Sequence, residues 1–72
     1  MELKNKITDT QRKLIFRYAE NDMNLSKAAK KEYMDRNTVS YHFNKVKNNS
    51  GYDPRCFFDL VELLKLLGYH TT

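Results

Sequence analysis

The chain is poor in residues that break or staple a backbone: one proline, two glycines, a single cysteine and no tryptophan among 72 residues. A lone thiol, Cys56, closes no internal disulfide, so no disulfide framework supports the fold; Cys56 reads as a small apolar helix residue. The two histidines, His42 and His70, stand far apart, and no spacing suits a metal ion. No apolar run approaches the roughly 18 residues of a membrane span, and the start MELKNKITDT lacks the apolar segment of a secretory signal. The expected location is the cytoplasm. Nor does the sequence hold a nucleophile beside a base, clustered carboxylates or a Gly-rich phosphate loop. No enzyme, cofactor or small-molecule ligand is expected.

What is there points to helices. Hydrophobic residues make up 40% and charged residues 31% of the chain, a balance that suits a folded, helix-rich chain better than a disordered tail. A chain this short has room for one domain, residues 1–72, and buries only about 60% of the surface its unfolded form exposes. The fold class expected is all-α, a small four-helix domain. The net charge of +4 is unevenly placed: residues 1–23 sum to +1, residues 24–48 to +4 and residues 49–72 to −1. The middle carries the excess. A charge run is usually a solvated face, so its position on the helices matters more than the total.

The helices read as about 9–21, 25–32, 36–48 and 54–67. Thr8 and Gln11 form a capping box ahead of helix 1, whose Leu14, Ile15 and Tyr18 share a face with Ala19 at its edge, leaving Arg12, Lys13 and Arg17 for solvent. Asn24 or Ser26 caps helix 2, where Leu25 and the pair Ala28-Ala29 are available for packing. Periodicity breaks around Tyr33 and Met34, and Asp35 suits the cap of helix 3 because its carboxylate can take up the free amide at Thr38. NNSGYDP is the clearest loop, with Gly51 at a helix end and Pro54 following Asp53, the expected cap of helix 4. Gly68 is the expected stop.

On a helical wheel Val39, Phe43 and Val46 fall within about 60°, which makes them the buried stripe of helix 3. The opposite side presents Asn37, Tyr41, Asn44 and Asn48, flanked by Ser40 and Lys45. A face that needed only solubility would be filled by Glu and Lys, since Asn costs roughly half a kcal/mol relative to Ala in a helix. Asn side chains can pair with the edge of adenine, Arg with guanine, and Thr or Tyr with phosphate or a thymine methyl. The plainer reading of this face is a solvated surface near a fraying helix end.

A short helix with paired alanines, a tight turn and a capped second helix with a polar outer face make a helix-turn-helix. The stretch LSKAAKKEYMDRNTVSYHFNKVKNNSGYDP, with Ala28-Ala29, RNTVSYHFNKV and SGYDP ahead of a Leu-rich helix, resembles the C-terminal helix-turn-helix of PucR-type bacterial regulators, and more distantly the Fis-type fold. The resemblance covers roughly residues 24–67. It implies that helix 3 is the recognition helix and that Arg36, Asn37, Thr38, Ser40 and Tyr41 touch double-stranded DNA; the wheel adds Asn44 and Lys45. Lys27, Lys30 and Lys31 would follow phosphates. Relatives often carry Arg where Ser40 and His42 stand, Leu where Glu32 stands, and Gly or His where Tyr33 stands. Glu32 is therefore expected to reach solvent or a nearby Lys, with Tyr33 or Met34 filling the apolar space. His42 points sideways, toward a neighbouring helix. Relatives of this unit usually end longer regulators, so the chain is either a stand-alone regulator of phage or bacterial type or a piece of a longer one.

Helix 4 carries two apolar stripes, Phe57, Val61, Leu64 and Leu60, Leu63, Leu67, with Phe58 and Leu66 outside both. An arc this wide exceeds what a small core can cover. The expectation is a homodimer that joins through Leu60, Leu63, Leu66 and Leu67 and sets two recognition helices one DNA turn apart, about 34 Å. The alternative is a protein-protein interaction module that docks through helix 4 without DNA readout. Single-stranded RNA is less favoured, because the five Tyr and four Phe form no evident stacking platform.

Overall fold

Thr8 starts the first helix as its hydroxyl predicts. The Gln11 amide donates to Thr8 Oγ1 and the Thr8 amide to Gln11 Oε1, both at 3.1 Å. In the computed structural model, which describes residues 7–69, four helices follow in order: α1 (Asp9–Glu20), α2 (Leu25–Lys31), α3 (Arg36–Ser50) and α4 (Phe57–Leu66). The described residues include no strand. His70, weighed above as a metal ligand, lies outside them.

Each helix buries the stripe that its spacing allows. Leu14, Ile15 and Tyr18 of α1, Ala28 and Ala29 of α2, Val39, Phe43 and Val46 of α3, and Leu60 and Leu63 of α4 meet in one core, closed by Ile7 and Leu67. α1 is the hub and packs against all three other helices, while α2 packs on α3. The alanine pair lets neighbouring backbones approach closely, and Tyr18 meets Phe43 edge-on with ring centroids 5.0 Å apart. Edge-to-face pairing suits the ring quadrupoles and adds to the area buried.

The turns show how the chain stops α2, α3 and α4. After α2 the Met34 amide donates to the Ala29 carbonyl at 2.8 Å and the Tyr33 amide to the Lys30 carbonyl at 3.2 Å, with Tyr33 at φ +57°. This bonding is the Schellman pattern, in which the left-handed residue is usually glycine. α4 closes the same way on Gly68, at φ +80°. α3 ends on Gly51, also left-handed, whose amide donates to the Lys47 carbonyl.

Three expectations need correction, and one open choice is decided. α4 begins at Phe57 rather than Pro54, because Asp53 caps a tight turn instead, accepting from the Arg55 amide at 3.0 Å while Pro54 is buried. Cys56 is consequently an exposed residue at the cap position of α4 and makes no side-chain cap bond. Glu32 turns to Arg17 of α1, whose Nε donates to it at 3.2 Å, so Arg17 is bound across helices while its side chain stays 40% exposed. Of the two residues expected to fill the apolar space after α2, it is Met34 that packs against the core, whereas Tyr33 is 97% exposed.

Candidate nucleic-acid interface

α3 is set in place by its ends and its inner stripe. Asp35 Oδ1 accepts the Thr38 amide at 2.8 Å, and this bond, with help from the Thr38 hydroxyl, holds the carboxyl below its ordinary range. The carboxylate thus stays charged at the positive end of the helix. Val39, Phe43 and Val46 are wholly buried. The helix cannot roll without exposing them, so the opposite face is fixed outward. α2 stops at Lys31 and α3 begins at Arg36, so a true turn separates the two.

Of the residues expected to read DNA, Asn37, Tyr41 and Asn44 occupy that outward face, Thr38 and Ser40 lie at its flanks, and Arg36, seven residues before Phe43, sits in the first turn on the side of the buried stripe. Arg36, Asn37, Thr38, Tyr41 and Asn44 are exposed, and Ser40 is half-buried. Leu25, Asp35, Arg36, Asn37 and Ser40 line one shallow concavity where α2 starts beside the first turn of α3. Lys45 is exposed and lies over the Tyr41 ring, 5.7 Å from its centroid, which draws a cation and an aromatic face together one turn further along. His42 faces α1, where Gln11 Nε2 lies 3.4 Å from its Nδ1. That contact accounts for its sideways direction.

Lys27, Lys30 and Lys31 are exposed too, but they gather elsewhere. Together with Asn21 and Tyr33 they surround a separate hollow at the junction of α1 and α2. The wheel of α2 alone could not distinguish these two sides. The apolar positions of α4 also sort differently from expectation. Leu60, Leu63 and Leu67 are consumed by the chain's own core, being 6% exposed or less, and cannot serve a second chain. Of the four residues expected there only Leu66 is exposed, and Phe57 and Phe58 join it at the surface.

One residue near this face escaped sequence reasoning. Arg55, in the loop before α4, donates from Nη2 to Asn44 Oδ1 at 2.7 Å. Its Nε also donates to Asp53 at 3.1 Å. Partial burial favours the neutral form of Asp53, but bonds from the Arg55 amide and guanidinium outweigh it and hold the carboxyl below its usual range. The Asp53 carboxylate therefore stays ionised at neutral pH. A contact between residues of a helix and a loop eleven positions apart leaves no periodic signal.

A capped outer helix, a preceding short helix held close by two alanines, and a three-sided core behind them define a helix-turn-helix, the class whose second helix is shaped for the DNA major groove. The family model of the PucR C-terminal helix-turn-helix domain matches residues 13–67, which is most of the chain and includes all four helices except the first turn of α1. The chain belongs to that family. No curated protein and no solved structure matches it. No helix among the described residues is long and apolar enough to cross a membrane.

Proposed function

We propose that this protein is a small transcription regulator that binds double-stranded DNA with α3 in the major groove. Arg36, Asn37, Thr38, Ser40, Tyr41 and Asn44 meet base edges or the thymine methyl, and Lys45 with Lys27, Lys30 and Lys31 neutralises phosphates. The observation that carries this reading is the burial of Val39, Phe43 and Val46, which turns an amide-rich face outward in a helix-turn-helix. Amides and hydroxyls both donate and accept, as readout of base edges requires. They give little to helix stability.

A second reading rests on α4. Phe58 is 77% exposed and Phe57 58% exposed, their rings meet edge-on 5.5 Å apart, and paired aromatic rings on a surface favour a protein partner. Within the DNA-binding reading the outer side of α4 joins two copies, with Phe58 at its centre and Phe57 and Leu66 on its two flanks. Outside it, α4 docks another protein and DNA plays no part.

Affinity for duplexes across a range of salt separates the two. DNA binding predicts a linear fall of log affinity with log salt, its slope reflecting on the order of four to eight phosphate contacts for a dimer. A flat response favours the protein-docking reading. Asn37→Ala should cost roughly 1–3 kcal/mol of preference for a selected duplex, whereas Lys30→Ala should weaken all duplexes alike. Equal losses on selected and random DNA for both variants would remove Asn37 from readout.

A further inference from the structure

The loop between α3 and α4 is built around one side chain. Asp53 Oδ1 accepts both the amide and the Nε of Arg55, which closes the Asp-Pro-Arg segment on itself. Pro54, inside that turn, is fully buried. The Asp53 amide donates to Asp59 Oδ2 of α4 at 3.1 Å. The turn is thereby tied to itself, to the core and to the next helix. From this base the Arg55 guanidinium reaches back across the loop to Asn44, at 2.7 Å.

Asn44 is in the outward row of α3, seven residues after Asn37 and thus about 10 Å further along the axis. The major groove is about 12 Å wide, so a helix whose first turn meets base edges brings its third turn toward the sugar-phosphate wall. A guanidinium over Asn44 stands at that level. It is the fork-shaped cation suited to phosphate oxygens, and its two hydrogen bonds restrict its rotamers in advance, which lowers the entropic cost of engaging an anion. The Asn44 bond itself is exposed, and a bond between two solvated groups adds little to the fold.

From this geometry we infer that Arg55 is a phosphate contact of the DNA interface, seated by Asp53 and Asn44 at the far end of the recognition helix. The inference rests on the reading of α3 as the groove helix. It also revises the part played by Asn44, which positions Arg55 as well as facing the groove. The loop after the helix-turn-helix then belongs to the binding surface.

The test is equilibrium binding of the full chain to a selected duplex and a random duplex over a range of salt, for the wild type, Arg55→Gln, Arg55→Lys and Asn37→Ala. Arg55→Gln should weaken both duplexes about tenfold near 0.1 M salt and lower the log-log salt slope by about one per bound protomer. Arg55→Lys keeps the charge while losing the fork, and should retain the slope. A merely structural arginine predicts that both variants lose affinity together with no change of slope, and that outcome overturns the inference. Unchanged affinity and slope in Arg55→Gln, while the wild type binds and Asn37→Ala loses preference for the selected duplex, removes Arg55 and leaves α3 as the reader. A wild type that binds no duplex at all overturns both.

Discussion

α3 and α4 each give one stripe to the same core, yet the faces they leave to water differ in kind. α3 buries Val39, Phe43 and Val46 and shows asparagines, hydroxyls, Arg36 and two lysines. α4 buries Leu60 and Leu63 and shows Phe57, Phe58 and Leu66. Their ends differ as well: α3 starts on an Asp35 side-chain cap and stops on Gly51, whereas α4 starts at Cys56 without a side-chain bond. Neither outer face is what solubility alone would choose. Asparagine is a weak helix former, and an exposed Phe gains nothing from water. The contrast lies in the chemistry of the two exposed sides, one polar and able to exchange hydrogen bonds, the other carrying aromatic rings and Leu66 beside the Glu62–Lys65 pair.

The most damaging way to break this comparison is from inside. Phe43 is wholly buried at the centre of the α3 stripe and meets Tyr18 edge-on. Phe43→Ala should cost about 3–5 kcal/mol, from lost transfer energy and the cavity left behind. A domain this small has little more than that in reserve, so circular dichroism should find the variant largely unfolded at room temperature. Retention of a native melting transition would mean that the core closes over the gap and that α3 is less firmly fixed than its burial implies.

A milder change acts on the other helix. Phe58→Ser removes a ring that the core does not use, so the melting temperature at low protein concentration should stay close to that of the wild type. If α4 joins two copies, sedimentation equilibrium should show self-association weakened by about tenfold or more, as expected for an aromatic anchor of an interface. A wild type that stays monomeric at all concentrations would assign the aromatic face to a different protein or to none.

Local chemistry made much of this readable in advance. Thr8 with Gln11 and Asp35 cap where their side chains predict, and of the two candidates for α2 Asn24 rather than Ser26 is the cap, because a cap depends only on residues three positions apart. The α3 stripe follows from spacing alone. What could not be read depends on contacts between segments. Asp53-Pro54 fits the start of a helix as well as it fits a turn, and the burial of Pro54 decides for the turn. A wheel of α4 shows two apolar stripes without saying which one α1 will cover. The Arg17 bond to Glu32 and the Arg55 bond to Asn44 join residues that no sequence window relates.

The finest comparison sets the end of α2, just before the recognition helix, against the end of α4. Both close with the same pair of bonds: Met34 to Ala29 at 2.8 Å and Tyr33 to Lys30 at 3.2 Å in the first, Tyr69 to Leu64 at 2.9 Å and Gly68 to Lys65 at 3.3 Å in the second. Only the left-handed residue differs. An L side chain there costs about 1–2 kcal/mol, whereas glycine avoids that strain but loses more chain entropy on folding, about 0.5–1 kcal/mol. Because the Tyr33 ring is 97% exposed, Tyr33→Gly should forfeit almost no packing and stabilise the fold by about 0.5–1 kcal/mol, measured as a higher denaturant midpoint at unchanged slope. Gly68→Ala should move the midpoint the other way, and since no atom of the described residues beyond its chain neighbours lies within 4 Å of the added methyl, its cost is that of the backbone. If Tyr33→Gly is stabilising yet lowers duplex affinity, the strain at Tyr33 is maintained for the sake of an exposed ring that serves binding, and the turn joins α3 as part of the binding surface.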